Sequence, residues 1–315
     1  MRFAPAVVLI ALVAGLLAPP RAEACGLPLG AKIPFEQALV SLSGGREEIV
    51  ASLQLEGGGP RAAVLFPVPA VPRVEPADPA TFSYLDSVTR IPTEESDEDG
   101  NVGAAPPSGG GVNVIGRELV SGYDVARLSA EDPRALQRWL DDNGFAPPVG
   151  AEPILRSYTA QGWKFVAIKL AKGRSPDGEL SPLRMSFASK RIVYPVRLSS
   201  LAKRHLALRL YVAADREVEI PRLRTIYAGR VSELERPPPA GVRRLLRAPF
   251  LTRMERDTLD PSDLRADLVA RPVREGGGDG GGPSTAAWLA IGLGGAALIA
   301  AAAPLAAASV RRRRA

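Results

Sequence analysis

Asp141 and Asp142 stand side by side in the last turn of a helix-like run built on Leu136, Trp139 and Leu140. Adjacent carboxylates are the residue types of a carboxylate-based hydrolase, one group giving a proton while the other acts as base or nucleophile. The same position opposes the helix dipole, and Arg138, three and four residues earlier, offers a local counter-charge. A salt-bridged helix end and a paired acid site both fit these residues. His205 is the only histidine. One imidazole excludes an H-E-x-x-H zinc site, and neither a G-x-S-x-G elbow nor a Walker A phosphate loop occurs. Glu95–Asn101 (ESDEDGN) puts oxygen ligands at positions 1, 3 and 5 of a calcium loop and Gly100 at position 6. Pro106 stands at position 12, where an EF-hand needs its bidentate Glu, leaving a solvated acidic loop or a looser calcium site. No cofactor and no resident metal are implied.

A second group of candidates is basic. Gly241–Ala248 (GVRRLLRA) lies between prolines and fits about two helical turns. Arg243, Arg244 and Arg247 would share one face, with Val242, Leu245 and Leu246 opposite. An ordinary core-packed turn with solvated arginines fits this pattern, as does a basic face resting on anionic lipid or envelope polymer. The surrounding charge is uneven: residues 25–196 carry 17 basic and 21 acidic side chains, whereas residues 197–256 carry 14 and 6. The formal charge of +6 belongs mostly to the chain ends, where Arg2, Arg21 and Arg311–Arg314 are opposed only by Glu23. The body is nearly neutral, so a nucleic-acid partner has no support.

Those ends read as targeting segments. Arg2, the apolar run 7–17 and Ala22-Glu23-Ala24 form a signal peptide over residues 1–24, with cleavage between Ala24 and Cys25. Cys25 is the only cysteine, so no internal disulfide can form. A lipid on it would need a large aliphatic residue three positions earlier, where this chain has Ala22. Residues 276–285 begin as a glycine-rich linker, and 286–310 are 25 residues without a charge, about 37 Å as a helix. Four arginines follow in the tail 311–315, which the positive-inside rule places in the cytoplasm and the body outside. No LPxTG motif precedes the span, which favours a retained anchor.

Between these ends, residues 25–275 must supply whatever positions the candidates. Runs 37–42 and 48–54 flank Ser43-Gly44-Gly45-Arg46, a hairpin turn, and 62–66 is a third strand. The prolines at 67, 69 and 72 remove ladder donors, so 66–72 is expected at an edge or as an extended crossing. Residues 80–88 suit a short helix carrying Phe82, Leu85 and Val88, and 93–112 reads as a mobile surface loop, acidic first and then Gly/Pro-rich. Asp132 is placed to cap a helix with Pro133 at its first position, and Asn143-Gly144 to end it. A second short helix spans 152–161 with Ile154, Leu155 and Tyr158 inward. Residues 163–170 form a strand apolar on both faces, and Leu183, Met185 and Phe187 alternate with polar neighbours. Runs 192–198 and 206–212 are expected to continue the sheet, and Asp260-Pro261 to start a helix. Phe66-Pro67-Val68 and Tyr194-Pro195-Val196 hint at an internal duplication.

Five stretches carry a family resemblance: FPVPAVPRVEPADPATFSYLDSVT (66–89), SGYDVARLSAEDPRALQRWLDDNGFAPP (121–148), GWKFVAIKL (162–170), SPLRMSFASKRIVYPVRLS (181–199) and FLTRM (250–254). In this order they resemble the bacterial exported proteins called domain of unknown function 2330. The resemblance implies a single exported domain and no particular activity. The expected fold class is α+β, a mainly antiparallel β-sheet domain with a few short helices, plus one C-terminal transmembrane helix. The expected role is a membrane-anchored extracytoplasmic domain that binds or supports without catalysis. A cell-envelope hydrolase using Asp141 or Asp142 is the alternative.

Overall fold

The computed structural model describes residues 27–29, 35–55, 63–90, 113–145, 147–171, 178–179, 182–202 and 205–273. In chain order the elements begin with β1 (Leu27–Leu29), β2 (Phe35–Ser43), β3 (Arg46–Leu55), β4 (Ala63–Val68), β5 (Arg73–Pro76), α1 (Thr81–Val88), β6 (Asn113–Val120), β7 (Tyr123–Ser129) and α2 (Pro133–Asp142). They continue with α3 (Ala151–Thr159), β8 (Lys164–Leu170), β9 (Gly178–Glu179), β10 (Leu183–Ala188), β11 (Val193–Tyr194), β12 (Leu206–Ala214), β13 (Val218–Glu219) and β14 (Arg224–Arg230). Then come α4 (Ala240–Arg243), β15 (Phe250–Leu259), β16 (Leu268–Val269) and β17 (Arg271–Pro272). The chain divides into a compact unit 1–277, which holds every described residue, and a second unit 278–315. Among the described residues no helix is long and apolar enough to cross a membrane. The expected span 286–310 lies outside them, as do the signal segment with Ala24 and Cys25, the loop 93–112 with Glu95–Asn101, and the linker and tail.

Two sheets carry the fold. The smaller has the order β1-β4-β8-β7-β6, and the larger runs β14-β15-β12-β2-β3-β10-β5 with β9 also on β3. Every pairing in both is antiparallel except β12 beside β2. Side-chain alternation explains how they stack. Val64, Phe66 and Val68 of β4, Val166 and Ile168 of β8, and Val125 of β7 join one core with Ala38, Val40, Ile49, Met185, Leu208, Leu210 and Val212 of the larger sheet. The opposite face of the small sheet, with Leu65, Leu128, Phe165 and Ala167, packs under α2 and α3 through Leu136, Trp139, Leu155 and Tyr158. The outer face of the large sheet, with Leu39, Val50, Tyr211 and Leu251, packs under α1 and the α4 segment. The result is four layers: helices, sheet, sheet, helices.

The helix α2 forms for reasons its sequence states. Asp132 accepts hydrogen bonds from the backbone N–H groups of Arg134 and Ala135, and Pro133 occupies the first turn. Gly144, with φ 71°, reverses the chain, and Phe145 N–H returns to Leu140 O at 2.7 Å. The Trp139 and Phe145 rings then stack at 5.8 Å, inside the layer between α2 and the small sheet. The first hairpin likewise follows its Gly-Gly signal, with Gly44 and Gly45 at φ 57° and 72°.

Three expectations need correction. Pro67 lies inside β4, which has neighbours on both sides. However, β1 overlaps β4 only from Ala63 to Leu65, so at Pro67 the strand is paired with β8 alone and one missing donor is tolerated. Residues 192–198 do not continue the large sheet: β11 pairs with β16, and a 3-10 turn follows over Arg197–Leu201. The cause is Asp267, whose Oδ1 accepts the N–H groups of Val196 and Arg197 at 3.1 and 3.3 Å and the Tyr158 hydroxyl at 2.5 Å. Asp260-Pro261 starts only a single 3-10 turn, Pro261–Asp263.

Two carboxylates lie fully buried on the inner face of the large sheet, Glu36 on β2 and Glu47 on β3. Both bind the β11 segment: the Tyr194 hydroxyl donates to Glu36, and Val193 N–H donates to Glu47 Oε1 at 2.8 Å. Burial pushes the Glu47 carboxyl from 4.5 up to about 7, against the opposing pull of the Val193 bond, the Ser189 hydroxyl and Arg191.

Two measurements follow from this packing. Urea unfolding should show Asp132→Ala losing about 1 kcal/mol, a lost cap, and Trp139→Ala losing about 3–5 kcal/mol, a cavity between α2 and the sheet. Equal losses would contradict the layer assignment. The second concerns Glu47. Below pH 4.5 it is protonated in both folded and unfolded chains. From there to about pH 7 the unfolded chain releases a proton that the folded one keeps, so stability falls as pH rises, by about 3 kcal/mol. Glu47→Gln should flatten that part of the curve, read as the urea midpoint at pH 4.5, 6 and 8 against the unsubstituted protein; parallel curves would refute it.

Candidate functional site

The residues nominated by the sequence fall in separate places. Asp141 and Asp142 are exposed at the end of α2. Asp141 accepts a 3.4 Å hydrogen bond from Gln137, while Arg138 leans toward the helix N-terminus and pairs with Asp132 at 3.7 Å. The counter-charge expected from Arg138 is therefore directed elsewhere. His205 is half exposed, 3.7 Å from Asp260. Arg243, Arg244 and Arg247 are all exposed, and Val242, Leu245 and Leu246 are buried against the large sheet. The two-faced pattern is present on less helix than expected, since α4 has one turn, Ala240–Arg243, and Arg244 is its C-cap. Gly241 packs so closely on Asp78 that a Cβ would lie 2.4 Å from its carboxylate, which pins this segment to the residues before α1.

Elsewhere charge is tightly neutralised. Asp86 of α1 meets Arg209 at 3.2 Å and Arg253 at 2.9 Å, and Glu255 meets the same two arginines at 2.5 and 2.7 Å. Two cations and two anions thus fasten α1 to the sheet, over a Tyr211 whose hydroxyl burial pushes up to about 12. Asp267 similarly takes Arg197 Nε at 3.1 Å, with the guanidinium stacked 4.0 Å over the Tyr158 ring. Burial, then the charge of Asp267, holds that tyrosine protonated well above its usual range. These clusters are joints between layers, with every charged group matched. Among the described residues no group of three or more His, Cys, Asp or Glu side chains could hold a metal.

A site that the sequence reading did not nominate opens at the edge of the sandwich. A cleft of about 710 Å³ lies between β5, the last strand of the large sheet, and the β6–β7 hairpin, the last of the small one. Arg46, Arg73 and Arg127 line it together with Glu75 and Glu118, and Val71 and Leu119 stand at its rim, 48% and 55% exposed. Arg127 reaches it because of Gly116, its cross-strand partner on β6: a Cβ there would lie 2.4 Å from Arg127 Nη2. With that space open, the guanidinium lies 3.3 Å from Glu118 and 3.5 Å from Pro72 O. Ser121, at the hairpin tip, adopts φ 48°, a left-handed conformation costly for a residue with a Cβ. One signal could have revealed this place. Arg127 interrupts the inward row Tyr123, Val125, as Glu118 precedes Val120, so two charges break the apolar inner face of the small sheet.

No curated protein matches the chain. Among solved structures it is similar to baculovirus P35, at 12% identity and TM-score 0.34 over 56% of this chain and 64% of that one. A mutated baculovirus P35 after caspase cleavage aligns at 7% identity and TM-score 0.35, over 76% of this chain and 97% of that one. Likeness at these scores carries no argument about fold or function. The profile of a family described as an uncharacterized protein conserved in bacteria, DUF2330, matches residues 19–271, and the chain belongs to that family.

Proposed function

We propose that this protein is a membrane-tethered extracytoplasmic module of the bacterial envelope that binds an anionic lipid surface and performs no chemistry on it. The observation that carries the reading is the exposed basic face of the α4 segment. Arg243, Arg244 and Arg247 point to solvent from a turn whose Val242, Leu245 and Leu246 are locked into the core. Residues 236–254 contain five arginines and no acid, and among the described residues Arg243, Arg244 and Arg247 are in none of the ion pairs, although Asp78 packs on Gly241 nearby. The chain ends support the tether: a signal-like start, an uncharged stretch of 25 residues and four terminal arginines. The hydrolase alternative is less well supported, since Asp141 and Asp142 lie exposed at the end of α2, away from the cleft lining. The acid with the raised pKa, Glu47, is fully buried and also lies outside that lining.

Each arginine near an anionic surface contributes about 1 kcal/mol. Residues 25–275 should therefore co-sediment with phosphatidylglycerol-containing vesicles, and the triple change Arg243→Glu, Arg244→Glu, Arg247→Glu should weaken that by about a hundredfold or more. Added salt should weaken the unsubstituted protein in the same direction. Equal binding by both proteins would sink the lipid face. Reporter fusions after Glu275 and after Ala315 test the tether separately, and a cytoplasmic signal from the first would reject it.

A further inference from the structure

The geometry points to the cleft between β5 and the β6–β7 hairpin as a binding site for a small monocarboxylate with a compact apolar body, independent of the α4 face. Within the cleft and its wall the charges do not balance. Glu118 is paired with Arg127, and Glu75 is paired with both Arg73, at 2.7 Å, and Arg184. Arg184 in turn meets Glu48 at 2.9 Å. Four guanidiniums, counting Arg46, thus face three carboxylates, and the surplus is a single positive charge. Arg46 carries it. Its guanidinium donates to Ser186 Oγ at 3.2 Å and has no ion pair among the described residues. Arg127 adds an unused donor, since its Nε is buried without a hydrogen-bond partner. A buried donor of this kind is costly unless something accepts from it.

The apolar half of the ligand follows from the rim. Val71 and Leu119 are two of the few large apolar side chains exposed among the described residues, and both line this one cleft. A planar carboxylate suits a guanidinium fork, whereas a dianionic phosphate would exceed the local surplus of one charge. An added peptide strand suits the place less. The free edge of β5 is four residues long, and Pro72 and Pro76 bracket its donors. The volume of about 710 Å³ is that of a small-molecule site.

The test uses the full chain in nanodiscs of zwitterionic lipid, with empty nanodiscs as reference, and four probes: benzoate, benzyl alcohol, benzylammonium and phenyl phosphate. Saturation-transfer NMR and titration should show benzoate binding more tightly than the other three. Arg46→Gln, an exposed position, should weaken benzoate at least about tenfold and leave benzyl alcohol unchanged. Gly116→Ala, which displaces Arg127, should weaken it as well, while the triple Arg→Glu change on the α4 face should not. No transfer to benzoate, equal affinity for benzoate and benzyl alcohol, or indifference to Arg46→Gln would each overturn the site. Tighter binding of phenyl phosphate would overturn the monocarboxylate assignment.

Discussion

The small sheet is apolar on both faces, and that constraint sets the rest of the molecule. In β4 every residue from Ala63 to Val68 is buried: Val64, Phe66 and Val68 on one side, Ala63 and Leu65 on the other. The central strand β8 repeats the pattern, with Val166 and Ile168 opposite Phe165 and Ala167. A sheet like this loses the hydrophobic contribution of one face unless both are covered, at roughly 25 cal/mol per Å² left in water. The large sheet covers one face and the α2–α3 pair the other. The large sheet is then apolar on its outer side too, at Leu39, Val50, Tyr211 and Leu251, which calls for α1 and α4. Each layer exists because the preceding one is incompletely covered.

Charged groups inside such a stack need partners, and the manner of pairing separates joints from sites. Asp267 accepts four hydrogen bonds, from Tyr158, Val196 and Arg197, and joins α3, the 3-10 turn and the β16 segment at one carboxylate. The Asp86, Glu255, Arg209 and Arg253 cluster balances charge under α1. Removing one member of either would leave a buried charge uncompensated, which is why such clusters serve as rigid connections. The cleft at the β5 edge is built differently. Its carboxylates are satisfied while the Arg46 guanidinium has no ion pair among the described residues and the buried Nε groups of Arg127 and Arg184 are left over. Surplus donors beside exposed apolar side chains describe a surface prepared for something outside the chain.

Local chemistry was readable in the residues, and long-range pairing was not. The Asp132-Pro133 start and Gly144 stop of α2, the Gly44-Gly45 hairpin and the alternation of Leu183, Met185 and Phe187 all report on neighbours within a few positions. The parallel contact of β12 with β2 brings Ala207 beside Phe35, and nothing in either strand announces the other. The fate of residues 192–198 was hidden for the same reason, since its cause, Asp267, lies about seventy positions downstream. The basic face of α4 was legible because its residues are consecutive. The cleft was not, because Arg46, Val71, Glu118 and Arg127 come from four separate segments.

The two aromatic-Pro-Val triplets show how far residue identity alone can be pressed. Phe66 and Tyr194 are both buried, and their rings meet edge to face at 5.8 Å; Val68 and Val196 join the same core. The likeness that hinted at a duplication is therefore a likeness of packing, with an aromatic and a valine turned inward from alternate positions. The backbones differ. Pro67 sits within a strand paired to β8, whereas Pro195 ends the two-residue β11 and leads into a 3-10 turn held by Asp267. Proline serves both because it lacks a donor: in one case the ladder has no neighbour to miss it, and in the other the ladder must stop. The resemblance thus arises from one shared task, filling the space between the sheets, met by two segments with unrelated connections. The Tyr194 hydroxyl marks the difference, for it carries the buried Glu36 carboxylate into the core at a point where Phe66 could offer no partner.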